Sequence, residues 1–150
     1  MSGQEKLLSK ALTIRYQPLP LSNFKWPLVE IGLMTKHRRL SQPTFGLVDS
    51  GASNSLLHPE VAVQLGFELN KIQRQSGGNS ASGRYNFWIL PKPVEVSLYG
   101  NRFLFPFQVI DSKEQMWPCV LGHDSIFKNA KVSFQTFTSR FEIAFRTDIN

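Results

Sequence analysis

Strand-like runs recur along the chain with only short interruptions, and no helical pattern is long enough to organise a fold around it. The chain therefore reads as an all-β or β-rich domain. The runs are WPLVEIGLM (26–34), TFGLVD (44–49), SLL (55–57), YNFWIL (85–90), PVEVSLY (93–99) and RFLFPFQVI (102–110), followed by AKVSFQTF and RFEIAF as a closing hairpin around TSR. YGN (99–101) reads as a tight turn between two of them. In KVSFQTF the apolar alternation is imperfect, so a strand is predicted there without a buried face. Two helical patterns are brief. HPEVAVQLG (58–66) has Pro59 in its first turn, Gly66 as its C-terminal stop, and Val61, Ala62 and Leu65 on one face. DSIFKNA (124–130) supplies another turn or two, with Asp124 as the expected N-cap. The first 24 residues contain Pro18 and Pro20 and little periodicity, and read as an arm or as a strand that needs a partner.

With 150 residues and 41% hydrophobic composition, the chain is long enough for one core and cramped for two, so one domain is expected. No stretch approaches the roughly 20 apolar residues that cross a bilayer, and MSGQEKLLSKALTIRY lacks an apolar signal region and a small-residue cleavage site. A soluble, cytoplasmic chain without a membrane partner is the expectation. The single cysteine, Cys119, excludes an internal disulfide framework and fits a reducing compartment. Seventeen Lys and Arg against eleven Asp and Glu give +6, a surplus that would draw nucleic acid only if gathered on one face. KHRR (36–39) is the one dense basic run and reads as a solvated turn, so nucleic acid is not an expected partner. His37, His58 and His123 are far apart, and Cys119-x-x-x-His123 supplies two of the four donors a zinc site requires. No metal or other cofactor is expected. Neither Cys119 nor any serine has an identifiable oriented base that would make it a nucleophile.

Residues 45–57, FGLVDSGASNSLL, set one carboxylate between an apolar run and a turn of small residues. Small residues permit a tight reversal and let a ligand approach Asp49 closely. Taken alone, D-S-G also suits an Asx turn in which Asp49 only bonds backbone amides. The wider pattern, two apolar residues then Asp-Ser-Gly-Ala-Ser and an apolar pair, resembles the active-site segment of the retropepsin-type aspartic proteases. CVLGHDSI (119–126) is similar to that family's later segment, in which two apolar residues and a glycine open a short helix. RQSGGNSASGRYNFW (74–88) falls where the family has its flap, a glycine-rich hairpin that closes over substrate. The resemblance covers residues 26–146, and the order and spacing of the three segments make it specific.

The resemblance implies an all-β, retropepsin-like acid protease β-barrel with a flap hairpin and one or two short helices, working as a homodimer. The domain would span residues 25–150, with residues 1–24 as an N-terminal arm, flexible or at the dimer contact. The activity implied is that of an aspartic endopeptidase. Hydrolysis without a metal or covalent intermediate needs a base to activate water and an acid to protonate the carbonyl oxygen and then the leaving nitrogen. Two carboxylates sharing one proton supply both, because like charges about 3 Å apart cannot both ionise and the pair titrates as a unit, the aspartic-protease dyad being the established example. Asp111, Asp124 and Asp148 lack the apolar lead-in and the small-residue turn, and the Asp49 segment is not repeated. The second acid is then expected from Asp49 of a two-fold-related copy.

Position by position, the resemblance makes Asp49 the catalytic acid and base and Ser50 a hydroxyl that ties two active-site loops across the dyad. It makes Gly51 the residue whose carbonyl accepts a hydrogen bond from substrate backbone. Ala52 completes the active-site loop, and Ser53 offers a polar bond to Asp49 or substrate. Gly122 is placed beneath the loop. Many viral members put an acidic residue and an arginine where this chain has Ser53 and His123, so the closer likeness is to cellular or prokaryotic single-domain members. Leu47, Leu56, Met116, Trp117, Pro118 and Val120 match pocket-wall positions, and their apolar character implies preference for hydrophobic residues flanking the cleaved bond of a peptide or protein substrate. Ser76, Gly77, Gly78, Asn79, Ser80, Ser82 and Gly83 match the flap. RFEIAF or the N-terminal arm would build the subunit contact. The alternative reading is the same fold used as a dimerisation or peptide-binding module with weak or no catalysis.

Overall fold

The computed structural model describes residues 7–19, 22–80, 83–112 and 114–148. Its strands are β1 (Leu12–Arg15), β2 (Gln17–Pro18), β3 (Lys25–Trp26), β4 (Leu28–Met34), β5 (Thr44–Val48), β6 (Leu56–Leu57), β7 (Gln75–Ser80), β8 (Gly83–Ile89), β9 (Val94–Leu98), β10 (Asn101–Phe105), β11 (Gln108–Ile110), β12 (Cys119–Leu121), β13 (Ala130–Gln135) and β14 (Arg140–Phe145). Helix α1 (Pro59–Gln64) lies between β6 and β7, and α2 (Ile126–Asn129) between β12 and β13. No helix among the described residues is long and apolar enough to cross a membrane.

Nine strands form one sheet in the order β10-β9-β4-β5-β12-β6-β11-β8-β7, with β1-β14-β13 as a second sheet and β2-β3 as a small ladder. Among the described residues the large sheet does not close into the expected barrel. Closure would require the two end strands, β10 and β7, to pair with each other. Instead β7 is the outer arm of a hairpin with β8, and β10 stops at Pro106, which has no N–H to continue a ladder. Pro106 also divides the run expected as a single strand over 102–110. Phe105 pairs with Val94 on one wing of the sheet, while Gln108 pairs with Ile89 and Leu56 on the other.

The strands at the centre show why the sheet has two working faces. Val29, Gly46, Cys119 and Leu57 are cross-strand partners in one row, and Leu28, Leu47, Val120 and Leu56 are partners in the next. Because side chains alternate with a period of two, the rows point to opposite sides. The first row enters the main core with Ile31, Leu33, Val94, Val96, Leu98, Leu121 and Phe141. Each fully buried side chain of this kind contributes about 1.5–3 kcal/mol. The second row forms a separate apolar cluster beside Asp49.

Helix α1 starts as its sequence suggests. Pro59 occupies the first turn, His58 caps it by accepting the Glu60 N–H at Nδ1 (3.1 Å), and Gly66 adopts φ +95° just beyond the end. It buries Ala62 and Leu65 in the main core. At α2 the cap differs from expectation: Ser125, not Asp124, is the N-cap residue and makes no side-chain cap bond. The Asp124 carboxylate is engaged by Ser55 instead. RFEIAF becomes β14, the middle strand of its sheet, with β1 on one side and β13 on the other. Residues 12–15 of the N-terminal segment are thus paired within their own chain.

Candidate active site

Two loops seventy residues apart in sequence meet at the ends of β5 and β12. The parallel pairing of Leu47 with Val120 and of Val48 with Leu121 aligns the ends of the strands. The Asp49 N–H then donates to the Leu121 carbonyl (3.0 Å) and the Val48 N–H to the Pro27 carbonyl (3.0 Å). Asp49 is half-buried where its strand stops. One carboxylate oxygen, Oδ1, accepts the Gly51 N–H at 2.9 Å, and the Asp49 carbonyl accepts the Ala52 N–H at 3.2 Å. These are the bonds of an Asx turn, and they leave Oδ2 without a hydrogen-bond partner among the described residues.

The second loop locks the first from below. A β-carbon on Gly122 would collide with the Ala52 carbonyl oxygen, so only glycine lets the two backbones meet there. The Ala52 carbonyl also accepts the His123 N–H (2.9 Å), and His123 Nε2 lies 2.6 Å from the Ser50 carbonyl oxygen. Beneath them, the fully buried Ser55 gathers the bonds. Its Oγ donates to Asp124 Oδ1 (2.6 Å), accepts the Gly122 N–H (3.0 Å) and pairs with Ser125 Oγ, while its own N–H also donates to Asp124 Oδ1 (2.9 Å). Sequence reading missed Ser55, Asp124 and Ser125 in this role. A serine at the start of a short apolar strand is the only local signal, and the partners that explain it lie 69 and 70 residues away.

Every aspartate other than Asp49 is committed elsewhere. Asp124 serves Ser55, Asp111 bonds Arg74 (2.7 Å) and Asp148 bonds Arg146 (2.8 Å). Cys119 lies on the core side of β12, where burial pushes its thiol up and so disfavours the thiolate. No group of three or more His, Cys, Asp and Glu placed to hold a metal ion occurs among the described residues.

Of the six residues expected to wall a pocket, Leu47, Leu56, Trp117 and Val120 gather in the apolar cluster on the Asp49 side of the sheet. Pro118 is half-buried, and its carbonyl accepts the His58 N–H (3.0 Å). Met116 stands outside the cluster, 65% exposed. The cluster instead recruits Leu19, Trp26, Leu28 and Ala52. Trp26 packs edge-on against Trp117, ring centres 5.1 Å apart. Ser50, Gly51 and Ser53 are exposed around the Asp49 turn.

The glycine-rich segment forms the β7–β8 hairpin at the end of the large sheet. Ser76, Gly77, Gly78, Asn79 and Ser80 lie on β7, and Gly83 begins β8. Ser82 lies outside the described residues. The ladder is irregular between Gln75 and Gly78 and resumes with Gly78 opposite Tyr85, Asn79 opposite Arg84 and Ser80 opposite Gly83. Gly77 has φ +92°, a conformation that side-chain-bearing residues rarely adopt. The Tyr85 ring fills the space a β-carbon on Gly78 would need.

No protein-family model and no curated protein sequence matches the chain. Among solved structures it is similar to a retropepsin-like aspartic protease from Rickettsia conorii, with TM-score 0.56 and 16% identity over 91% of this chain and 93% of that one. Further matches are the retroviral protease-like domain of Ddi1 from Leishmania major (TM-score 0.48, 22% identity, 71% and 82% covered) and EIAV protease complexed with the inhibitor HBY-793 (0.47, 19%, 68% and 86%). The fold is that of the retropepsin-like aspartic proteases.

Proposed function

We propose that this chain is an aspartic endopeptidase acting as a homodimer. It would hydrolyse peptide bonds through a water activated by two Asp49 carboxylates, one from each subunit, with hydrophobic residues preferred at the cleaved bond. The observation that carries the reading is the state of Asp49. It ends an apolar strand in a turn braced by a second loop, with one carboxylate oxygen unspent among the described residues, while the other three aspartates of the chain are engaged. A dyad therefore needs a second copy, and a two-fold axis beside the Ser50 loop would supply it.

In the reaction, an ionised Asp49 takes a proton from water as its oxygen attacks the scissile carbonyl carbon, and the protonated Asp49 of the other subunit gives its proton to the carbonyl oxygen. The tetrahedral diol collapses as its C–N bond breaks, a hydroxyl proton returns to a carboxylate, and a proton reaches the leaving nitrogen. This leaves an acid, an amine and a dyad still sharing one proton. No cofactor enters the balance. The apolar row of Leu47, Val120 and Leu56, with Trp117 and Trp26, supports the substrate preference, since it sets a cluster of apolar side chains on the Asp49 side of the sheet. The β7–β8 hairpin would act as the flap that shuts out bulk water. Because β14 is paired on both sides, the outer edges of β1 and β13 are the strands of that sheet left to meet a second copy.

The test combines sedimentation with cleavage of casein and of a hydrophobic peptide library across pH. Wild-type protein should sediment as a dimer and cleave beside apolar residues, and Asp49→Asn should keep the dimer and lose cleavage by at least ~1000-fold. Cleavage retained in Asp49→Asn, or catalysis by a strictly monomeric chain, would refute the assignment.

A further inference from the structure

The bond from His123 reaches the site in a way no sequence motif announces. Ser50 C=O and Gly51 N–H belong to one peptide unit, which is planar and turns as a rigid plate. Its oxygen faces His123 Nε2 at 2.6 Å, and its N–H faces Asp49 Oδ1 at 2.9 Å. Fixing one edge of the plate fixes the other. Since a carbonyl oxygen can only accept, the bond requires a proton on Nε2, which sets the ring tautomer. The ring is itself held, stacked on Phe127 with centres 5.0 Å apart and planes 29° apart, and its main chain is tied to Ala52.

We propose that His123 is a positioning residue that orients the Ser50–Gly51 peptide so that its N–H is presented to the Asp49 carboxylate. The inference rests on the protease reading for its catalytic consequence, but not for the orientation itself. With the clamp in place, the Gly51 N–H stabilises the ionised carboxylate, and the hydrogen bond at the oxygen end polarises the peptide and strengthens the donor at the nitrogen end. Without it, an exposed Ser50 peptide can rotate and bring its carbonyl dipole towards the carboxylate, which repels rather than supports negative charge. His123 therefore acts on Asp49 through a single intervening amide.

His123→Phe and His123→Gln separate this role from packing. Phenylalanine keeps a flat ring for Phe127 to stack on and removes the donor, whereas the glutamine side-chain amide returns a donor near the former Nε2. In His123→Phe we expect kcat to fall ~10–100-fold with KM changed less than ~3-fold, as a misplaced catalytic group entails, and hydrogen exchange at the Gly51 amide to accelerate. His123→Gln should recover most of both. Nitrogen NMR of the wild-type imidazole should show the Nε2–H tautomer, a reading that needs no variant to fold. An Nδ1–H tautomer, wild-type Gly51 exchange in His123→Phe, or no recovery in His123→Gln would overturn the proposal. If wild-type protein cleaves nothing, the protease reading fails while exchange and tautomer still decide the role of His123.

Discussion

Replacing Ser55 by alanine removes one oxygen atom from a fully buried site, so nearly all of its effect must come from hydrogen bonds. The hydroxyl has one proton, which goes to Asp124 Oδ1 at 2.6 Å, a bond to a carboxylate worth about 1.5–3 kcal/mol. It also accepts the Gly122 N–H at 3.0 Å, and stranding that buried donor costs about 1–3 kcal/mol. Asp124 retains the Ser55 N–H, and Ser125 can fall back on the Gly122 carbonyl (3.4 Å), so the two losses will not add in full. A net destabilisation of about 3 kcal/mol is the expected outcome. With a urea m-value near 2 kcal/mol/M, the unfolding midpoint should fall by roughly 1.5 M. Ser133, exposed on β13, is the control, and its alanine variant should move stability by less than ~0.5 kcal/mol. The assay is urea unfolding followed by circular dichroism, with peptide cleavage measured in the absence of denaturant. A Ser55→Ala midpoint within ~0.25 M of wild type would refute the reasoning, since a shift that small corresponds to less than ~0.5 kcal/mol. Normal stability loss with undiminished cleavage per folded molecule would show that the network supports the fold but not the Asp49 loop.

Gly122→Ala should be more damaging to activity than to stability. Its β-carbon meets the Ala52 backbone, and a withdrawal of the Asp49 loop approaching 1 Å should lower kcat ~100-fold at a cost of about 1–3 kcal/mol in urea unfolding. Gly46→Ala, where the new carbon would lie 3.2 Å from Leu121 Cδ1, meets a side chain that can turn aside, so its kcat should stay within ~3-fold of wild type. The Gln115 side-chain amide is buried with neither its nitrogen nor its oxygen hydrogen-bonded among the described residues. Gln115→Met should therefore raise stability by about 1–2 kcal/mol in the same unfolding experiment, and a loss would show that the amide has a structural task.

The parts of this molecule that are legible in its sequence are those whose bonds are local. The Asp49 turn closes through Gly51 and Ala52, two and three residues on, and α1 is announced by Pro59 and Gly66 at its two ends. Most strand runs are visible because they alternate or stay apolar over five residues or more, while the short SLL run is legible only by its place after the Asp49 turn. β12 is not visible as a strand, since three residues are too few to show a period, yet it is central to the sheet. The split at Pro106 is hidden because apolar residues continue on both sides of it, although the missing N–H was a signal at hand. The open sheet was beyond reach, because whether the end strands pair depends on contacts between distant segments. The same is true of the Ser55 network and of the place of Trp26 in the cluster facing the Asp49 side.

The parallel ladder between β5 and β12 has a bearing on when the site comes into being. Parallel neighbours cannot be joined by a tight turn, and here some seventy residues intervene, so the ladder forms only after a large loop has closed. Contacts of such high sequence separation are gained slowly and late in folding. A chain emerging from the ribosome with everything up to Ser112 already synthesised lacks the strand against which Val48 aligns, and with it Gly122 and His123. The braced Asp49 turn is thus withheld from nascent and half-folded copies, and its two loops meet only once β12 has been made and paired.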